Sequence, residues 1–204
     1  MRHVLREYLI QADSWLGFSL APDFTVKDVT SSGPAAAAGL RTGDHLVSLN
    51  HRVLASDEDY SLARLGVQPH QKVPVTFTRE DREKTAEIEA WNRLDGLLFE
   101  RLGMTVERAY IGSDFRSRLQ VSLVEPGGPA GALGLQRGDL IAAVRPKGLR
   151  AKTIGTPEDL AFLVSRMQTG DPIGMEIWRD DDGDGQYERN EDYSELYKGT
   201  LEIR

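Results

Sequence analysis

The sequence predicts a mainly β chain with added helices, an α+β class, built from two copies of one module. The first observation behind this is a repeat. Gly33-Pro-Ala-Ala-Ala-Ala-Gly-Leu-Arg-Thr-Gly-Asp44 returns as Gly128-Pro-Ala-Gly-Ala-Leu-Gly-Leu-Gln-Arg-Gly-Asp139, 95 residues later. A period of that size is one domain long. The second is alternation of apolar and polar residues, as in Phe24 to Val29, which marks half-buried strands. The third is a pair of capped helix starts, Ser56-Asp-Glu-Asp59 and Thr156-Pro-Glu-Asp159.

Each element follows in order. Val4 to Ala12 is a short mixed stretch that forms a leading helix or strand. Trp15 to Leu20 reads as a strand with a glycine near its start, and Phe24 to Val29 as the next. After the Ser31-Ser-Gly-Pro34 turn, Ala35 to Ala38 makes a short helix. Gly39 ends it as a left-handed cap, with Leu40 packed beneath. Gly43-Asp44 turns into the apolar strand His45 to Asn50. The longer helix runs from Ser56 to about Leu65, with acids in its first turn. Lys72 to Thr78 is a strand in which Pro74 predicts an edge or a bulge. Lys84 to Ala90 closes the first copy.

The second copy repeats the order. Leu102 to Val106 matches the glycine strand, Leu119 to Val124 the next strand, and Pro129 to Leu133 the short helix. Asp139 to Val144 is the buried strand and Thr156 caps the longer helix. Ile173 to Trp178 and Gly199 to Arg204 close the copy as a hairpin. The glycine strands lie only 86 residues apart, so the second copy carries nine extra residues around Tyr110 to Arg118. Such a loop is placed to cover whatever that strand exposes. The domain organisation expected is an extension 1–14, a domain 15–90, a short rigid junction 91–101 and a domain 102–204. The last carries an inserted loop 109–118 and a long acidic hairpin 180–192.

Composition narrows the function classes. A net charge of −7 argues against nucleic acid or an anionic membrane as the main partner. Cysteine is absent, which removes disulfides, thiolate metal sites and cysteine nucleophiles together. No run is long enough to span a bilayer. Met1 to Ile10 carries a glutamate inside its short apolar stretch and no small-residue cleavage site, so a signal peptide is not expected.

The order of elements resembles tandem PDZ domains of the kind attached to bacterial HtrA/Deg-type serine proteases. The residues that carry the resemblance are Leu16-Gly17-Phe18 and Leu102-Gly103-Met104, which fit the apolar-Gly-apolar carboxylate-binding loop. The doubled Gly-Pro-Ala…Gly-Leu…Gly-Asp segment is its most specific part. The likeness runs from about Trp15 to Ile203. It implies two PDZ-like domains, each a small, partly open β-barrel or sandwich capped by a short and a long helix. It also implies capture of protein C-termini or extended, unfolded segments.

The chemistry of the loop agrees. Consecutive backbone N–H groups make an anion nest, and glycine lets the backbone approach the ligand. Leu16 and Phe18 can line a pocket for the last side chain, while the peptide adds a strand between the glycine strand and the long helix. The alternative is a plain bent strand with a blocked groove. On the long helices Tyr60, Ala63, Arg64, Leu160, Leu163 and Val164 face either groove or solvent, and helical spacing favours core for most of the apolar ones.

HtrA-type enzymes carry a catalytic domain ahead of such modules, and none is read here. The four histidines stand next to no serine–acid pattern, so no proteolysis is expected from this chain alone. It is expected to recruit or regulate within an HtrA-like system. The alternatives are a piece of a protease whose catalytic domain lies elsewhere, or a scaffold with closed grooves. In the first case the location is the envelope or periplasm.

One further motif stands apart. Asp180 to Glu191 matches the calcium-loop spacing of an EF-hand: Asp180, Asp182 and Asp184 at the first, third and fifth places, then Gly185 at the turn. Gln186 would offer its backbone carbonyl, Glu188 would act through water, and Glu191 would bind with both oxygens. Strands rather than helices flank it, so a structural Ca²⁺ and a solvated acidic tip are both open.

Overall fold

Local signals become elements close to where the sequence puts them, in a computed structural model that describes residues 14–110, 117–180, 187 and 196–204. The chain divides into two units, Met1–Gly96 and Leu97–Arg204. That division falls inside the expected 91–101 junction. The stretch Val4 to Ala12 lies outside the described residues.

In unit 1, β1 (Ser14–Trp15) is separated from β2 (Phe18–Leu20) by a bend at Gly17, so the single strand expected there is two. The reason is pairing. β2 pairs antiparallel with β3 (Val26–Val29), whereas β1 turns away to pair with β8 (Trp91–Asn92). Then come α1 (Pro34–Ala37), β4 (His45–Leu49), β5 (Arg52–Val53) and α2 (Asp57–Arg64). Proline at the first helical position starts α1, and Gly39 at φ +84° ends it. Ser56 caps α2 by accepting from the Asp59 N–H at 3.2 Å. β6 (Lys72–Arg79) and β7 (Arg82–Glu89) complete an open sheet of order β5-β4-β6-β7.

Pro74 corrects an expectation. It stands in β6, which has neighbours on both sides, not at an edge, and the register shift falls on β4 instead. The strand tolerates it because the β4 ladder stops at Leu49↔Val75. Beyond that point the chain turns, and the Asn50 N–H donates to the Pro74 carbonyl at 2.8 Å. The missing N–H therefore costs no ladder bond.

In unit 2, α3 (Arg93–Leu102), which begins in unit 1, leads into β9 (Met104–Tyr110) and β10 (Ser117–Val124). α4 (Pro129–Ala132), β11 (Leu140–Pro146), α5 (Pro157–Val164), β12 (Pro172–Trp178) and β13 (Leu196–Glu202) follow. One open antiparallel sheet runs β13-β12-β11-β10-β9. Part of the expected inserted loop is strand: Tyr110 pairs with Ser117 and Ala109 with Arg118, and residues 111–116 lie outside the described set. Among the described residues both units are open sheets with no closed barrel.

Each unit has its own core. Leu16, Val26, Leu46, Leu49, Val73 and Phe77 are buried in the first, and Leu98, Phe99, Met104, Leu140, Leu160 and Ile173 in the second. Among the described residues no helix is long and apolar enough to cross a membrane.

A buried carboxylate organises the repeated segment. Asp44, 1% exposed at its side chain, takes a forked pair from Arg79 at 2.6 and 2.7 Å and the Arg41 N–H at 2.8 Å. Arg79 also donates to the Gly39 carbonyl at 2.8 Å, which fastens the end of α1. Unit 2 makes the same bonds with Asp139, Arg179, the Gln136 N–H and the Gly134 carbonyl. Burial pushes the Asp44 carboxyl up, but Arg79 and the Arg41 amide outweigh it and hold it below the usual range. A carboxyl lowered on folding stabilises the fold above its unfolded pKa, and that contribution fades as pH falls through the folded value. Replacing Arg79 by Ala leaves Asp44 buried without its cation. Urea melts at pH 7 should show a loss of about 3 kcal/mol, shrinking in acid.

Candidate functional site

The apolar-Gly-apolar loop of unit 1 is built by steric need. Gly17 sits at φ +78°, and a Cβ there would stand 2.9 Å from Pro34 Cδ. Only glycine lets the loop bend and rest on the start of α1. The loop is tied behind by the Thr30 N–H, which donates to the Gly17 carbonyl at 2.9 Å. Gly103 is the counterpart in unit 2, at φ +69° and close to Gly128 and Pro129, with the Glu125 N–H donating to its carbonyl at 2.8 Å.

Because the Gly17 carbonyl faces β3, strand alternation turns the N–H and C=O of Phe18 the other way, onto an edge. Among the described residues that edge of β2 is unpaired, since β2 has β3 as its one partner. β9 likewise ends its sheet, with β10 on one side. Among the described residues no further strand pairs with either edge.

The loop side chains take different places. Leu16, Leu102 and Met104 are buried in the cores, whereas Phe18 is half-buried and packs on the rim of the first core. Of the helix residues, Ala63, Leu160 and Val164 are core and Tyr60 packs on it.

Some supporting residues had no signal in the sequence. Trp15 packs on Trp91, ring centroids 5.4 Å apart, and lies so close to Gly96 that a Cβ there would overlap its ring. Gly96 therefore stands inside α3 for the sake of the tryptophan that precedes the loop. Arg64, at the end of α2, donates to the Ser14 carbonyl at 2.6 Å. This places the cation beside the chain that enters the loop, and Ser61 shares its helix face. In unit 2 the residue that enters the loop is Arg101, which donates to the Met167 carbonyl. Behind the second loop Glu125, 4% exposed at its side chain, pairs with Arg204.

The family model for the PDZ domain matches residues 11–90. This part of the chain is a PDZ domain. Its homology is to the DegS/HtrA-type proteases: serine endoprotease DegS of Salmonella typhimurium is 27% identical over 79 residues, 39% of this chain and 22% of the relative. The chain thus spans about a fifth of that protease's length. Among solved structures, a serine endoprotease from Yersinia pestis is similar at 24% identity and TM-score 0.38, over 44% of this chain and 34% of the other. The PDZ domain of a carboxy-terminal protease from Vibrio cholerae, in complex with peptide, is similar at 15% identity and TM-score 0.37. That match covers 51% of this chain and 92% of the other.

The acidic hairpin is only partly within view. Asp182, Asp184, Gln186, Glu188 and Glu191 lie outside the described residues, while Asp180 and Tyr187 lie inside. The Tyr187 hydroxyl donates to the Gly138 carbonyl at 2.9 Å and accepts from Gln120 at 3.2 Å. Burial pushes the Tyr187 phenol up, and the charge of Asp180 adds to the effect. Among the described residues no three His, Cys, Asp or Glu side chains gather as a metal site.

Proposed function

We propose that the chain is a pair of PDZ-like modules that capture peptides by strand addition. The observation that carries this is the edge of β2, unpaired among the described residues, beside a positive-φ glycine loop and within a segment of known family. Main-chain bonds from Phe18 hold the peptide as a further strand, and the face of α2 that carries Arg64 lines its other side. Leu16, Gly17 and Phe18 are the residues assigned to the first groove. Leu102, Gly103 and Met104 are assigned to the second, on the unpaired edge of β9. The second assignment is supported by the shared glycine geometry and the shared Asp–Arg fork.

The relation to DegS-type proteases supports a role in recruiting or regulating substrates for such a system. The acidic hairpin is assigned a structural calcium ion, held by Asp180, Asp182, Asp184, Gln186, Glu188 and Glu191. Support for this comes from the spacing and from Tyr187, whose bonds anchor the middle of the hairpin on unit 2.

Two measurements test these assignments. Ser61 is exposed one turn before Arg64 on α2, so Ser61→Trp crowds the proposed groove from the surface without touching the core. Anisotropy with a labelled peptide pool should show binding to the first groove weakened by about tenfold or more at unchanged melting temperature. Unchanged binding removes the groove. For calcium, isothermal titration should give a heat with the wild type that Asp182→Ala abolishes. No heat with either leaves a solvated tip.

A further inference from the structure

The two copies of the module differ on the solvent face of their sheets, and the strand registers let that face be compared position by position. In unit 2, β12 alternates the buried Ile173, Met175 and Ile177 with Gly174 and Glu176, which stand on the outer face. Gly174 pairs with Arg145 of β11 and Thr200 of β13, and Glu176 pairs with Ala143 and Lys198. In unit 1 the matching row has Pro74 opposite Glu87, and the next has Thr76 between Ser48 and Thr85. Unit 2 thus has a glycine and a threonine where unit 1 has a proline and a glutamate, and a lysine where unit 1 has Thr85.

The connection after the buried strand differs as well. The aspartates Asp44 and Asp139 lie 95 residues apart, and the helix caps Ser56 and Thr156 lie 100 apart, so unit 2 has five more residues between them. The stretch from Arg145 to Lys152 carries four cations and no acid, in a chain of net charge −7. Its base is fixed, because Val144 and Lys152 exchange backbone bonds at 2.9 and 2.8 Å. The Leu149 N–H also donates to the Pro146 carbonyl at 3.1 Å. This loop and the Gly174 floor shape an open cleft of about 450 Å³.

Three cations, Arg145, Lys147 and Lys198, line the cleft against one carboxylate. That carboxylate is shared: one oxygen of Glu176 lies 3.8 Å from Arg145 and 3.4 Å from Lys198. Lys147 stands 3.5 Å from Asp171, which does not line the cleft. With both acids counted, positive charge is still in excess. Exposed pairs of this length are weak, so an incoming anion can displace them. The cations come from two strands and a loop, so one bound group has to offer an oxygen to each. A phosphate has three such oxygens and a carboxylate two. Thr200 adds a hydroxyl to the lining, and the volume leaves room for the organic part of an ester.

From these differences we infer that the outer face of unit 2 is an anion site that takes a small phosphate ester, with no counterpart among the described residues of unit 1. The site lies over β11, β12 and β13, and β10 separates it from the β9 edge. It therefore stands whether or not a peptide adds to that edge.

The test titrates the full chain with glycerol 3-phosphate, inorganic phosphate and succinate and follows backbone ¹H–¹⁵N spectra. Glycerol 3-phosphate should shift the Arg145, Gly174 and Thr200 amides saturably, at concentrations about threefold or more below those of succinate. Inorganic phosphate should act on the same amides less tightly. Arg145→Gln and Lys198→Gln should each raise the midpoint about fivefold or more at unchanged melting temperature. Lys72→Gln, on the sheet of unit 1, should leave it as it was. Gly174→Val, at a position without positive φ, should abolish the shifts by filling the floor. Inorganic phosphate or succinate binding as tightly as the ester overturns the choice of ligand. No saturable shift at these amides, or one that survives both glutamine variants, overturns the site.

Discussion

The buried Asp44–Arg79 fork is the constraint on which unit 1 depends. Asp44 sits where the chain leaves α1 and enters the sheet, and its carboxylate takes three donors, two from Arg79 and one from the Arg41 amide. The same arginine reaches the Gly39 carbonyl, so the end of α1 and the last residue of β6 are held by one side chain. With its end fixed, α1 presents Pro34 to Gly17, and the loop can rest there because glycine has no Cβ. A carboxylate with less than full pairing would be costly in that place, which is why the arginine's planar fork suits it better than a lysine would. The position of the loop thus traces to an ion pair at some distance from it in the sequence.

Sequence showed most of what is local. The Gly-Pro starts of α1 and α4, the Ser56 and Thr156 caps and the left-handed glycines are each decided within a few residues, and the pattern displays them directly. Gly43-Asp44 read only as a turn, because the partner of Asp44 lies 35 residues on. Pro74 suggested an edge because proline lacks a donor. The structure places it inside the sheet at a point where the ladder has already ended, a fact about β4 rather than about β6. β1 looked continuous with β2, and its partner β8 belongs to a stretch that resembled a plain junction.

The candidate site was legible to a similar degree. Gly17 and Gly103 stood out because left-handed backbone leaves a residue signature. Their neighbours did not: Leu16 read as lining a pocket, and packing puts its side chain, with those of Leu102 and Met104, in the core. What distinguishes the two loops, Thr30 against Glu125 and Arg64 against Val164, comes from other elements brought beside them by the fold. Loops of the same apolar-Gly-apolar pattern can therefore stand in different surroundings, and a motif alone does not reveal it.

The central claim is that β2 gains a strand when a peptide binds. Amide hydrogen exchange on the full chain, with and without a saturating peptide pool, tests it most directly. The account predicts that the Phe18 amide, which has no partner among the described residues, becomes strongly protected while exchange at β6 and β7 stays as it was. Binding that leaves Phe18 exchanging at its free rate, with protection appearing on another surface, would contradict it.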